Sequence, residues 1–192
     1  MIKEKNIICL NKHSLKAQKE PYLKHFNVID DKLSTLLIKT NKGLTKLNFS
    51  YYLDEDIAIE IFEDLITQAF EFANTSEDQV DNTKMGIFKD KVLLHYHNYI
   101  SYIDTLEKQN NFDLLAYIVA NLAKQHILIN GNKRVIFAFM VLFLQNLCGL
   151  YLSTQKNDKQ YTEIINNYVI HNKEKHLNLY IKNFILNNTV IA

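Results

Sequence analysis

His126-Ile127-Leu128-Ile129-Asn130-Gly131-Asn132-Lys133-Arg134 is the stretch on which the reading of this chain turns, because it joins two segments with helical spacing. Before it, Leu114, Leu115, Ile118, Val119 and Leu122 recur every three or four residues, and Asn111 offers an N-cap. After it comes an apolar run from Val135, which Gly149 can close with a left-handed residue just past Cys148. The nonapeptide is therefore a helix-to-helix junction, with a histidine at one rim and two cations at the other.

Each residue has a bland reading. His126 can complement the C-terminal dipole of its helix, and Gly131 can be a turn glycine. Lys133 and Arg134 are harder to dismiss, because the first turn of a helix favours carboxylates over bases. An anion on the amides of Gly131, Asn132 and Lys133 resolves that conflict. Arginine then grips phosphate oxygens bidentately and lysine serves as a point charge, while Asn132 braces the loop or donates to the phosphate. Histidine as a residue type titrates near neutral pH, so His126 is the candidate base for an attacking hydroxyl. Together these parts read as phosphoryl or nucleotidyl transfer.

Working outward, the 192 residues suffice for one domain with a sizeable core, and 47% apolar content argues against disorder. Four Gly and one Pro are few for the turns of an all-β fold, so the expectation is all-α: a helical bundle around the apolar helix that follows Arg134. That helix is no membrane span, since its uninterrupted apolar run ends at Leu144, well short of the roughly 20 residues a bilayer requires. A net charge of +1 supplies no general attraction to nucleic acid or acidic membrane. Cys9 and Cys148 match no metal spacing, and the N-terminus has no long apolar segment, so a reduced cytoplasmic chain is expected.

Residues 1–48 read as a polar, lysine-rich extension of unassigned role, with a helix-like piece at Lys32 to Lys39 and a turn at Asn41-Lys42-Gly43; residues 49–192 read as the helical domain. In the latter, helices are expected at Asp54 to Ala73, Asp90 to Leu106, Asn111 to His126, Asn132 to Cys148, Tyr161 to Ile170 and Lys173 to Asn187. Asn74 to Lys89 reads as an exposed connection suited to covering a cleft. His95 and His97 lie on different helical faces and fail as a metal pair.

The nonapeptide resembles the signature of the Fic/Doc family, His-Pro-Phe-x-Asp/Glu/Asn-Gly-Asn-Gly/Lys-Arg. The flanking Leu114 to Gln125 and Val135 to Gly149 resemble the family's central helices, and Gly86 to Asp90 resembles its target-binding flap region. The resemblance spans roughly residues 50–190 and implies a Fic/Doc-like bundle with room for a short β-hairpin flap. It implies ATP or a related nucleotide as co-substrate, Mg²⁺, and transfer of AMP or phosphate to a hydroxyl of a target protein. By it, His126 is the general base, Gly131, Asn132, Lys133 and Arg134 bind phosphate, and Asn130 takes the metal-ligand position. Lys133 matches the death-on-curing branch, whose members are toxin-like.

Three positions stand out against the pattern. Ile127 replaces proline, Leu128 replaces the anchoring phenylalanine, and Asn130, though within the pattern, stands where an acid is the usual metal ligand, so its oxygen can ligate Mg²⁺ but brings no charge. The family's self-inhibition motif has no clean copy, since Phe72 follows Thr67 to Glu71 where Gly or Asn belongs, which points to a separate antitoxin-like inhibitor. The alternative is a catalytically impaired member acting as a nucleotide-binding or interaction module. A DNA-reading helix pair is disfavoured, because Val135 to Leu144 offers almost no side chain that reads a base edge.

Overall fold

A computed structural model describes residues 2–10, 15–51, 55–74, 79–102, 110–153, 163 and 176–191. The elements run β1 (Ile2–Cys9), α1 (Leu15–His25), β2 (Val28–Lys32), β3 (Thr35–Thr40), β4 (Gly43–Tyr51), α2 (Glu55–Ala73), a 3₁₀ turn (Asn82–Lys84), α3 (Met85–Tyr102), α4 (Asn111–Gln125), α5 (Asn132–Leu147), β5 (Leu150–Leu152), α6 (Leu177–Asn188) and β6 (Thr189–Ile191).

The chain is mostly helical but not all-α, and this corrects the sequence expectation. A four-stranded sheet in the order β1-β4-β3-β2 occupies the first 51 residues, and β5 pairs with β6 in a small ribbon. β1 lies parallel to β4, with Ile7 opposite Phe49, whereas β3 is antiparallel to both neighbours. The helix-like piece at Lys32 to Lys39 is instead largely β3, since Leu36 and Ile38 are buried while their neighbours are not. That period of two fits a strand with one face on the core.

The sheet and the helices share one core, in which Ile7, Leu36, Ile38, Leu47 and Phe49 join the helical apolar residues. Tyr22 of α1 stitches the layers together: its ring meets Phe49 at 5.4 Å and Phe112 at 5.3 Å, both edge-on, and its hydroxyl donates to the carbonyl of Cys148 at 2.8 Å. α5 packs on α2, α4, β1 and β5, which gives it the central place expected of it. Phe62 of α2 stacks on Phe139 of α5 with centroids 6.3 Å apart. No helix among the described residues is long and apolar enough to cross a membrane.

Two boundaries differ from the sequence reading. Asn110, rather than Asn111, caps α4, accepting from the amides of Phe112 and Asp113 at 3.0 and 3.1 Å, while the Asn111 side chain donates to the Ile8 carbonyl of β1. Gly86 to Asp90 lies inside α3, and no strand occurs between residues 55 and 147 among those described, so the β-hairpin flap is absent there. Apart from Glu163, the helix expected at Tyr161 to Ile170 falls outside the described residues.

Candidate functional site

Residues 126–134 form the short bridge from α4 to α5. His126 ends α4 in the left-handed region, φ 43° and ψ 53°, the sole non-glycine residue with positive φ among those described. Its side chain is exposed. Asymmetric non-glycine residues reach this conformation at a cost of roughly 1–2 kcal/mol, so packing on both sides of His126 must hold the turn. Leu128 supplies it from below: only 3% exposed, it plugs into the core at the position where the resemblance expects phenylalanine. Ile129 stands out at 90% exposed.

The return into α5 is fixed by Asn132 and Gly131. The Asn132 side chain, 7% exposed, accepts from the Leu128 amide at 3.3 Å and so closes the loop on itself. Gly131 is the N-cap, with φ 80°, and its carbonyl accepts from the Val135 amide at 3.0 Å. Gly131 has no side chain with which to cap the helix, so the usual Ser, Thr, Asp or Asn is missing at that position. Glycine is required for a second reason: a Cβ at 131 would stand 2.8 Å from Cγ2 of Val80.

That contact exposes partners which the sequence reading did not assign. Val80 is buried against the loop, and its amide donates to Oδ1 of Asn74 at 2.7 Å. Asn130 donates through Nδ2 to the Gln79 carbonyl at 3.0 Å. Arg134 donates through Nη1 to the Ala73 carbonyl at 3.1 Å, satisfying one of the last carbonyls of α2. The segment after α2 thus seats the 130–134 end of the loop. Nothing in the local sequence signals this, because Val80 is a lone apolar residue in a polar stretch.

At the other rim, Nε2 of the buried His95 on α3 lies 3.1 Å from Nε2 of Gln125, the residue before His126. Burial lowers the His95 pKa, with the nearby Lys91 adding to the effect and the Gln125 contact opposing it. A neutral His95 can accept the amide N–H. His97, by contrast, is half-exposed and pairs with Glu55 at 3.1 Å, so the two histidines serve separate faces as expected.

The loop therefore gathers His126, Gly131, Asn132, Lys133 and Arg134 on one junction, with an exposed imidazole before the glycine-capped N-terminus of a helix. Its cation chemistry is sparse. Among the described residues no group of three or more His, Cys, Asp or Glu could hold a metal ion, which leaves the Asn130 amide as the loop's nearest approach to a hard ligand. Mg²⁺ is ordinarily held by one or two carboxylates together with substrate phosphates. Among the described residues the loop's own side chains would supply only a small part of such a shell.

A family model described as Fic/DOC family matches residues 52–144, a region running from α2 into α5 and containing the whole loop. The match supports the family resemblance of that region. Neither the comparison with curated proteins nor that with solved structures gives a match.

Proposed function

We propose that the 126–134 loop transfers AMP or phosphate from ATP, or a related nucleotide, to a hydroxyl side chain of a target protein. The carrying observation is the pairing of an exposed His126 with the glycine-capped start of α5, which bears Lys133 and Arg134, on a loop inside the region matched by the Fic/DOC model. In this reading His126 takes the proton of the target hydroxyl as its oxygen attacks phosphorus. Attack at the α-phosphorus forms a phosphodiester and releases pyrophosphate; attack at the γ-phosphorus forms a phosphomonoester and releases ADP. The amides of Gly131, Asn132 and Lys133 receive phosphate oxygens, and Lys133 and Arg134 offset their charge.

Lys133 favours phosphate transfer of the death-on-curing kind and a toxin-like role in the cytoplasm. Asn130 is the residue suited to touch Mg²⁺, which when bound neutralises phosphate charge. The departure at Phe72, 72% exposed after Glu71, favours a separate antitoxin-like inhibitor over self-inhibition. A second reading, a nucleotide-binding or interaction module without activity, draws on the side chains of Asn130 and Arg134, since each already serves a backbone carbonyl.

The test is label transfer in a host lysate with Mg²⁺ and ATP labelled separately at the α and γ positions. Label on a protein from γ alone identifies phosphate transfer, and label from α identifies AMP transfer. A folded protein that transfers neither overturns the enzymatic reading in favour of the second.

A further inference from the structure

A cleft lies outside the 126–134 loop. The end of α1, the β3–β4 turn and the β5–β6 ribbon enclose a cleft of about 590 Å³, and none of its lining residues belongs to 126–134. Small-molecule sites commonly measure roughly 300–1,000 Å³, mostly apolar with a few placed polar groups. This cleft has that composition. Ile38 and Ile191 are buried lining residues, and the half-buried Phe26 adds an aromatic face.

Its charge is one-sided. His25, Lys39 and Lys42 line the cleft, and no acidic residue does. The acids nearby are engaged elsewhere: Asp31 with Lys19, Asp30 with Lys32, and Glu20 with Lys24. Among the described residues neither Lys39 nor Lys42 has a carboxylate partner. The lining is also held in place. Thr40 Oγ1 accepts from the Lys42 amide at 3.2 Å and donates to the Gly43 carbonyl at 3.1 Å, fixing the turn that carries Lys42. The Lys39 amide donates to the Asn27 carbonyl at 2.9 Å, and Lys5 lies 4.4 Å from the ring centre of the lining residue Tyr151.

Thr189 completes the ribbon side of the lining. It lines the cleft, is 8% exposed, and its buried hydroxyl has no hydrogen-bond partner among the described residues. We propose that this cleft binds a small amphipathic anion, an aromatic or aliphatic body bearing one carboxylate or phosphate. The body covers Phe26, Ile38 and Ile191, and the anionic group meets Lys39 and Lys42.

Calorimetric titration of the full chain with 2-naphthoate, indole-3-acetate and phenyl phosphate tests this, and whichever binds best separates a carboxylate from a phosphate source. Saturable binding is expected for at least one probe. Lys39→Glu with Lys42→Glu weakens it roughly tenfold, the scale of two partly exposed charge contacts. Val190→Trp, at an exposed lining position, fills the cleft and abolishes binding, while His126→Ala binds as wild type does. Circular dichroism establishes that the variants keep the fold. The proposal is overturned if no probe saturates, if uncharged 2-naphthylmethanol binds as well as 2-naphthoate, or if the charge-reversed and tryptophan variants bind unchanged.

Discussion

Replacing Gly131 by Ala tests how the turn into α5 is held, and its energetic components can be separated. At φ 80° an alanine carries roughly 1–2 kcal/mol of left-handed strain, of which roughly 0.4–1 kcal/mol is offset by a less flexible unfolded chain. The new Cβ would also stand 2.8 Å from Cγ2 of Val80 and 3.3 Å from Nη2 of Arg134. Overpacking of this kind costs typically 1–3 kcal/mol, because Val80 is 5% exposed and has little room to yield. The single variant should therefore lose about 2–3 kcal/mol. In a Val80→Ala background the 2.8 Å contact is gone, the 3.3 Å approaches of Cβ of residue 80 and Nη2 of Arg134 stay, and the strain remains, so the same substitution should cost only about 1–2 kcal/mol. Urea unfolding of the four proteins in the cycle gives the coupling directly. An equal cost of Gly131→Ala in both backgrounds would refute the close approach of Val80 as the reason for glycine.

Three further outcomes follow from the same geometry. His126→Gly relieves left-handed strain but loosens the unfolded chain, for a net gain of about 0.5–1 kcal/mol in urea unfolding; a loss of stability would contradict the strained cap. His95 has a lowered pKa in the folded state, so below its unfolded value the unfolded chain binds more protons and stability falls as the pH drops from about 6.5. His95→Gln should lose less stability between pH 8 and pH 5 than wild type, and parallel curves would exclude His95 as a source. On the proposed function, Asn130→Asp adds a carboxylate where a metal-bearing phosphate would lie, so transfer should saturate at lower Mg²⁺; an unchanged Mg²⁺ response counts against Asn130 as a ligand.

The helices were legible where an apolar stripe repeats at helical spacing. α4 and α5 follow Leu114 to Leu122 and Val135 to Leu144, and Gly149 is left-handed just past α5 as read, whereas α2 falls near its expected bounds but buries Phe62, Leu65, Ile66, Ala69 and Phe70 and leaves Phe72 exposed. The sheet was missed because scarce Gly and Pro across the whole chain outweighed a local signal. Leu47 and Phe49 alternate with Lys46, Asn48 and Ser50, a strand pattern that a chain-wide count cannot see. β5 and β6 have three residues each, too few for any period. At the cap, adjacent Asn110 and Asn111 are chemically equivalent in sequence, and only the contact with Ile8 distinguishes their roles.

At the candidate site the junction was legible because paired cations in the first turn of a helix conflict with ordinary helix-end chemistry, while His126 and Gly131 taken singly do not. The junction's supports were not legible. Val80, Gln79 and Ala73 reach the loop through long-range packing and backbone carbonyls, which carry no side-chain signature. His95 reaches Gln125 from another helix, and its spacing from His97 revealed only that the two do not act together.

The central claim is that His126 acts in the chemical step and not in holding nucleotide, and ATP binding measured beside label transfer for wild type and His126→Ala tests it most directly. The account predicts nucleotide affinity unchanged within about twofold and transfer reduced by roughly a hundredfold or more, the scale of a lost general base. Transfer by His126→Ala within tenfold of wild type, or a loss of transfer that follows a matching loss of ATP affinity, would contradict it.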